Sequence, residues 1–236
     1  MEIFTAPAKL TLSLRIVGVR DDGFHLIDAE MVSLDLHDTL EIAEGSGLEV
    51  FGAEATGQPV SAADNLVSKA LDLVGRRAAV RLHKRIPAGA GLGGGSSDAA
   101  AVLRWAGFED ADAAAGIGAD VAFCLRGGRA RVSGIGEVVE LLSFEPRTYT
   151  LLTPPFGCST PAVYAAWDDM GGPVGDNGND LEPAALRVVP DLADWRDELA
   201  MATGLGPRLA GSGSTWFVEG SFPGHGRVVV STVPGH

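Results

Sequence analysis

Over residues 9–16 apolar and polar side chains alternate. Leu10, Leu12, Leu14 and Ile16 fall on one face, and Lys9, Thr11, Ser13 and Arg15 on the other. A period of two with one apolar face predicts a half-buried strand. Asp21-Asp22-Gly23 supplies a turn, and short strands are expected over 31–36, 39–43, 48–51 and 79–86, the last stopped by Pro87. Asp64 can cap a helix whose Leu66, Ala70, Leu71 and Val74 share a face. Further helices are predicted over 96–105, 121–125, 161–170, 181–188 and 193–202. A hairpin over 129–142 turns at Gly134-Ile135-Gly136. Strands follow over 149–153, a strand and turn over 208–218, and a last strand over 227–233, with a boundary near 144–147. Strands come in adjacent groups with helices between them, so the class is α+β, in two layers or two lobes.

Composition narrows the chemistry. The chain of 236 residues carries 18 Lys and Arg against 31 Asp and Glu, a formal net charge of −13. A basic patch that grips nucleic acid or an anionic membrane is therefore not expected. Any phosphate would be held by backbone N–H groups, helix N-termini, a few placed cations or a metal. Only Lys9, Lys69 and Lys84 are lysines, and ammonium and guanidinium are not interchangeable. Cys124 and Cys158 form no CxxC pair and read as buried free thiols of a cytoplasmic protein. The first residues lack the pattern of a signal peptide, and no apolar run approaches the length of a membrane span. Glycine is in excess, at 32 residues, about twice the usual usage. Such glycines serve turns or close backbone approach.

Many of them gather in Pro87-Ala88-Gly89-Ala90-Gly91-Leu92-Gly93-Gly94-Gly95-Ser96-Ser97-Asp98, which joins a strand to a helix. There successive amides can converge on an anion at a helix N-terminus, with Ser96 and Ser97 adding hydroxyl donors. Gly89 to Gly94 satisfies G-x-G-x-x-G, but the second strand of a dinucleotide fold is missing, because 107–118 has no apolar run. No GK[ST] follows, which excludes a Walker A loop. A second turn, Gly211-Ser212-Gly213-Ser214-Thr215, lies near the C-terminus. Taken singly, Asp120 reads as a helix cap, His25 as a surface histidine, and Phe24 and Tyr164 as packing aromatics.

Together these segments resemble the GHMP kinase superfamily nearly end to end. The resemblance rests on Ala6-Pro7-Ala8-Lys9-Leu10-Thr11-Leu12, Gly18-Val19-Arg20-Asp21-Asp22-Gly23-Phe24-His25 and Asp64-Asn65-Leu66-Val67. It continues through the glycine segment, Ile117-Gly118-Ala119-Asp120-Val121, Asn179-Asp180-Leu181-Glu182 and Gly211-Ser212-Gly213-Ser214-Thr215. Gly23-Phe24-His25 and the extended Gly-Gly-Gly-Ser-Ser loop are similar to the branch whose small-molecule substrate carries a cytidine diphosphate group. The resemblance implies two lobes with a cleft between them, an ATP-binding domain over 1–146 and a shortened C-terminal domain over 147–236. It implies ATP-dependent phosphorylation of a tertiary hydroxyl, with Mg²⁺ bound to ATP and no metal ligand assigned.

Asp120 then matches the catalytic acid that takes the hydroxyl proton, and Lys9 the lysine beside it. Residues 87–97, Asn65 and Lys84 match the ATP side. On the substrate side, Thr11, Phe24, His25, Tyr164, Gly211, Ser212 and Gly213 match positions that hold the sugar-like part and the cytosine. Thr11 stands where the family usually has Asn, and Phe24 where it usually has Tyr. Residues 220–226 carry three glycines and a proline, which a helix does not tolerate. The alternatives carried forward are a superfamily kinase for another small alcohol and an inactive nucleotide-binding relative.

Overall fold

Strand β1 (Glu2–Val19) and strand β2 (His25–Ala43) form a long antiparallel ribbon turned at Asp21-Asp22-Gly23. The structure, a computed structural model, describes residues 1–52 and 65–236. The two strands expected over 31–36 and 39–43 are a single strand, β2. It is continuous because it changes partner along its length. Residues 27–32 pair with β5 (Arg129–Gly134), and residues 39–43 pair with β4 (Ala79–His83). Strand β3 (Gly47–Phe51) runs parallel to β4, and β6 (Val138–Leu141) lies at the other end of this sheet, which has six strands among the described residues. Strand β4 stops three residues earlier than the sequence suggests. The carboxylate of Asp38 accepts the Arg85 and Ile86 amides and takes them out of the ladder.

Helix α1 (Leu66–Leu73) is capped by Asn65, whose side chain accepts from the Val67 amide at 2.9 Å; Asp64, the expected cap, lies outside the described residues. Helix α2 (Gly94–Trp105) is buried on nearly every side, because Ala99, Ala100 and Ala101 let β1, α1 and α4 (Val121–Arg126) approach closely. Between α2 and α4 lies α3 (Ala111–Ile117), which the pattern of apolar residues does not predict. Only Ala114 is buried there, so no apolar stripe betrays it. The Asp110 side chain caps the helix by accepting from Ala113, and alanines carry it.

The second sheet has the order β10-β7-β9-β8, formed by β7 (Thr148–Leu152), β8 (Arg208–Leu209), β9 (Trp216–Glu219) and β10 (Arg227–Ser231). Its two faces are both covered. Leu152, Trp216 and Val218 pack in one core with Val163 of α5 (Thr160–Asp169), Ala184 and Ala185 of α6 (Glu182–Val188), and Leu192 and Leu199 of α7 (Leu192–Thr203). Tyr149, Leu151, Phe217 and Val230 pack in a second core with Leu10, Leu12 and Leu34 of the first sheet. Residues 220–226 form no helix. Among the described residues, no helix is long and apolar enough to cross a membrane.

Candidate active site

Ala90 and Leu92 of the glycine segment are buried in that second core and anchor the segment beneath a cleft. Its backbone is fastened on three sides. Leu92 accepts from the Lys9 amide at 3.0 Å, Ala90 from the Thr215 amide at 3.1 Å, and Gly89 from the Cys158 amide at 3.1 Å. The glycines have a purpose the sequence does not reveal. A Cβ on Gly91 would lie 2.2 Å from the Ala210 carbonyl oxygen, and one on Gly93 would lie 2.6 Å from Lys9 Cγ. Both have positive φ, so these two positions exclude side chains twice over. Helix α2 follows directly, with Gly93 at its cap position and, among the described residues, no side chain satisfying its first amides. Those amides remain available to an anion.

The glycine segment presses on Lys9, one of the residues that the strand pattern places on the polar face of β1. Lys9 and Thr11 are buried, at 5% and 2% exposure, so β1 is covered on both faces. The pairing register with β2 shifts on each side of them, as bulges next to functional sites do. Lys9 Nζ donates to Thr11 Oγ1 at 3.0 Å and lies 3.2 Å from Asp120 Oδ2. Asp120 occupies the N-cap position of α4 but makes no capping hydrogen bond, and its side chain stays 31% exposed toward the cleft. It is therefore not a cap. The β5–β6 turn abuts it, since a Cβ on Gly136 would meet the Ala119 carbonyl oxygen at 2.6 Å.

Lys84, Asn65 and Ser96 all line the cleft. Lys84 is committed internally, with its ammonium bonded to Asp38 and, at 2.6 Å, to Asp98. Burial pushes the Asp98 carboxyl up to about 7 against the attraction of Lys84. Its Oδ1 is buried without a partner among the described residues. The two serines part company. Ser97 is fully buried and donates to the Pro7 carbonyl at 2.6 Å, so it is not brought to the cleft, because helix geometry turns it beneath β1. Ser96 faces the cleft.

At the far end, His25 and Tyr164 line the cleft with ring centroids 4.7 Å apart, and burial pushes the Tyr164 phenol up to about 12. Phe24 is 56% exposed and lies 6.0 Å from the Arg20 guanidinium, outside the cleft lining. Phe24 and Tyr164 are thus not brought into a sandwich; the ring facing Tyr164 is His25. Gly211 and Ser212 line the cleft near Lys9 and Thr11, whereas Gly213 packs against the Cys158 sulfur. Asn179 fastens this turn by donating to the Leu209 and Gly211 carbonyls at 2.9 and 2.7 Å. Sequence reading missed Asp38 and Asp98 as partners of Lys84. It also missed Trp167 and Asp168, although their i+3 and i+4 spacing from Tyr164 on α5 was a usable signal. The whole cleft is a cavity of about 650 Å³ between the first sheet with α2 and α4 on one side and α5 with the second glycine turn on the other. It places one acid–ammonium pair between an amide-rich anion cradle and an aromatic end. Such an arrangement can deprotonate a hydroxyl beside a phosphate.

The chain is similar to known proteins in sequence and in fold. The family model described as the GHMP kinases N terminal domain matches residues 60–128. A 4-diphosphocytidyl-2-C-methyl-D-erythritol kinase of Paracoccus denitrificans (strain Pd 1222) is 39% identical, covering 90% of this chain and 84% of the relative. One of Dinoroseobacter shibae (strain DSM 16493 / NCIMB 14021 / DFL 12) is 35% identical over 97% and 88% of the two chains. A crystal structure of 4-(cytidine 5'-diphospho)-2C-methyl-D-erythritol kinase superposes with a TM-score of 0.75 at 30% identity, covering 98% of this chain and 99% of that one. The L. major mevalonate kinase shares the fold, with a TM-score of 0.66 at 14% identity. With such identity over nearly the whole length, the chain belongs to the 4-diphosphocytidyl-2-C-methyl-D-erythritol kinases within the GHMP kinase superfamily.

Proposed function

We propose that this protein transfers the γ-phosphoryl group of ATP to the 2-hydroxyl of 4-diphosphocytidyl-2-C-methyl-D-erythritol, giving the 2-phosphate and ADP in non-mevalonate isoprenoid biosynthesis. The observation that carries this reading is the Lys9–Asp120 pair, 3.2 Å apart on the cleft wall between the glycine segment and the aromatic end. Asp120 accepts the proton of the attacking hydroxyl, and Lys9 offsets the charge on the reacting oxygens. Thr11 holds the Lys9 ammonium in place. The free amides at the start of α2 receive the phosphates, a task that falls to backbone because both lysines lining the cleft are already paired with carboxylates. Asn65 lines the ATP side, and His25 with Tyr164 takes the cytosine.

Among the described residues, no cluster of three or more metal-binding side chains exists. Mg²⁺ bound through nucleotide phosphates needs only one or two protein oxygens, and the Ser96 hydroxyl and the Asp120 carboxylate fit that need. When bound, the ion neutralises phosphate charge.

ADP release from Mg-ATP and the cytidyl substrate tests the proposal, with substrate-free and mevalonate controls. Turnover only with the cytidyl substrate is expected. Asp120→Ala and Lys9→Ala should each lower kcat by about 10²–10⁴-fold while ATP binding persists. Full activity in Asp120→Ala would overturn the mechanism, and turnover of mevalonate alone would overturn the substrate.

A further inference from the structure

Tyr164, Trp167 and Asp168 stand at i, i+3 and i+4 on α5, and all three meet one side chain, His25 at the start of β2. The Tyr164 ring lies 4.7 Å away at 41°, the Trp167 ring 5.4 Å away at 83°, and Asp168 Oδ1 2.8 Å from His25 Nε2. Trp167 is itself held, because its Nε1–H donates to the Pro173 carbonyl at 2.9 Å. The imidazole side chain is 10% exposed, so it has little freedom to turn away.

The Asp168 carboxylate can only accept, so Nε2 carries the proton. A neutral imidazole protonated at Nε2 presents Nδ1 as a bare acceptor. We infer that Asp168 is a positioning residue that fixes His25 as an acceptor toward the cleft and thereby selects an amino-bearing pyrimidine over one with a carbonyl at the same edge. The inference rests on the proposed reading that the aromatic end receives the base. Cytosine offers an exocyclic amino group, which donates to Nδ1. Uracil offers an oxygen there, and two lone pairs would face each other. To donate to that oxygen, His25 would have to move its proton to Nδ1. That move leaves the Nε2 lone pair against the Asp168 carboxylate. Asp168 therefore penalises uracil through the histidine, without touching the base.

Two measurements test this on the full-length protein near pH 8.5, above the ordinary imidazole range. In ¹⁵N-imidazole NMR, wild type should show His25 protonated at Nε2 alone, and Asp168→Ala should show the two tautomers in exchange. Calorimetry with CDP and UDP, the ATP site filled by a non-hydrolysable analogue, should give a wild-type preference for CDP. Asp168→Ala should reduce that preference about five- to twentyfold, the range of a partly exposed charge-assisted hydrogen bond. In turnover, the same variant should raise KM for the cytidyl substrate and leave kcat and the KM for ATP unchanged. A His25 proton on Nδ1 in wild type, or an unchanged CDP-to-UDP ratio in a folded Asp168→Ala protein, would overturn the inference. Absence of kinase turnover in wild type would instead overturn the proposed function, and the tautomer would still decide the role of Asp168.

Discussion

Asp38, Lys84 and Asp98 place one ammonium between two buried carboxylates, and the excess negative charge there shapes the pH response of the fold. Asp98 titrates near 7 because burial disfavours its charged form, whereas an unfolded chain releases that proton near 3.8. A folded pKa raised above the unfolded value gives stability that is present at low pH and lost as pH rises through the folded pKa. Wild type should therefore lose stability relative to Asp98→Asn between about pH 4 and pH 7, read by urea denaturation at a series of pH values. A parallel pH dependence in the two proteins would refute it. The two serines in the first turn of α2 also differ in role. Ser97→Ala should cost about 1 kcal/mol by leaving the Pro7 carbonyl without its donor, with the KM for Mg-ATP unchanged. Ser96→Ala should raise that KM and leave stability alone. Sequence could name Asp120 but could read it equally as a cap. Only the missing capping bond and the 3.2 Å approach of Lys9 decide between the two.

Among the elements, the glycine segment depends on close packing as much as on anion geometry. Gly91→Ala should destabilise the protein by about 1–3 kcal/mol through its positive φ, with a further cost from the Ala210 carbonyl. Gly93→Ala carries a similar backbone cost and in addition displaces Lys9, so its kcat should fall further than that of Gly91→Ala. Denaturation and steady-state kinetics on both variants separate the effects; equal losses of kcat would count against the distinction. Element existence was largely legible, since α2, α5, α6 and α7 and the 129–142 hairpin follow from periodicity and turn residues. Apart from α3, which has no apolar stripe, what escaped were features set by side chains distant in sequence. Strand β4 ends just before Asp38 claims the Arg85 and Ile86 amides, and β2 runs on because two different partners cover its two halves.

For the whole molecule, the second core decides how the cleft holds its shape. Leu10, Leu12 and Leu34 of the first sheet meet Tyr149, Phe217 and Val230 of the second, with Ala90 and Leu92 of the glycine segment in the same cluster. One apolar cluster thus joins both sheets to the anion cradle, and β1 carries Leu10 and Leu12 into it while Lys9 and Thr11 face the cleft. Leu34→Ala, outside the cleft lining, should cost about 2–5 kcal/mol and lower activity as the sheets loosen around Lys9. Urea denaturation together with kcat/KM checks this, and unaltered activity at that loss of stability would dissociate the core from the site. The large negative charge fits the same picture. Phosphate affinity is expected from backbone dipoles in a fixed loop, which need no surplus of cations.

The sequence by itself determined what local physics can encode. A period of two made β1, the glycine run marked a strand-to-helix anion loop, and the ordered motifs indicated the superfamily with Lys9 and Asp120 as partners. The tertiary structure alone decided what those residues touch. It turned Ser97 under β1, left Phe24 on the outside, tied Lys84 to Asp38 and Asp98, and set His25 against Asp168. Each of these depends on where a side chain lands after strands and helices far apart in the chain have packed. Such distances are fixed by close packing and charge pairing across the fold, and no spacing along the chain encodes them.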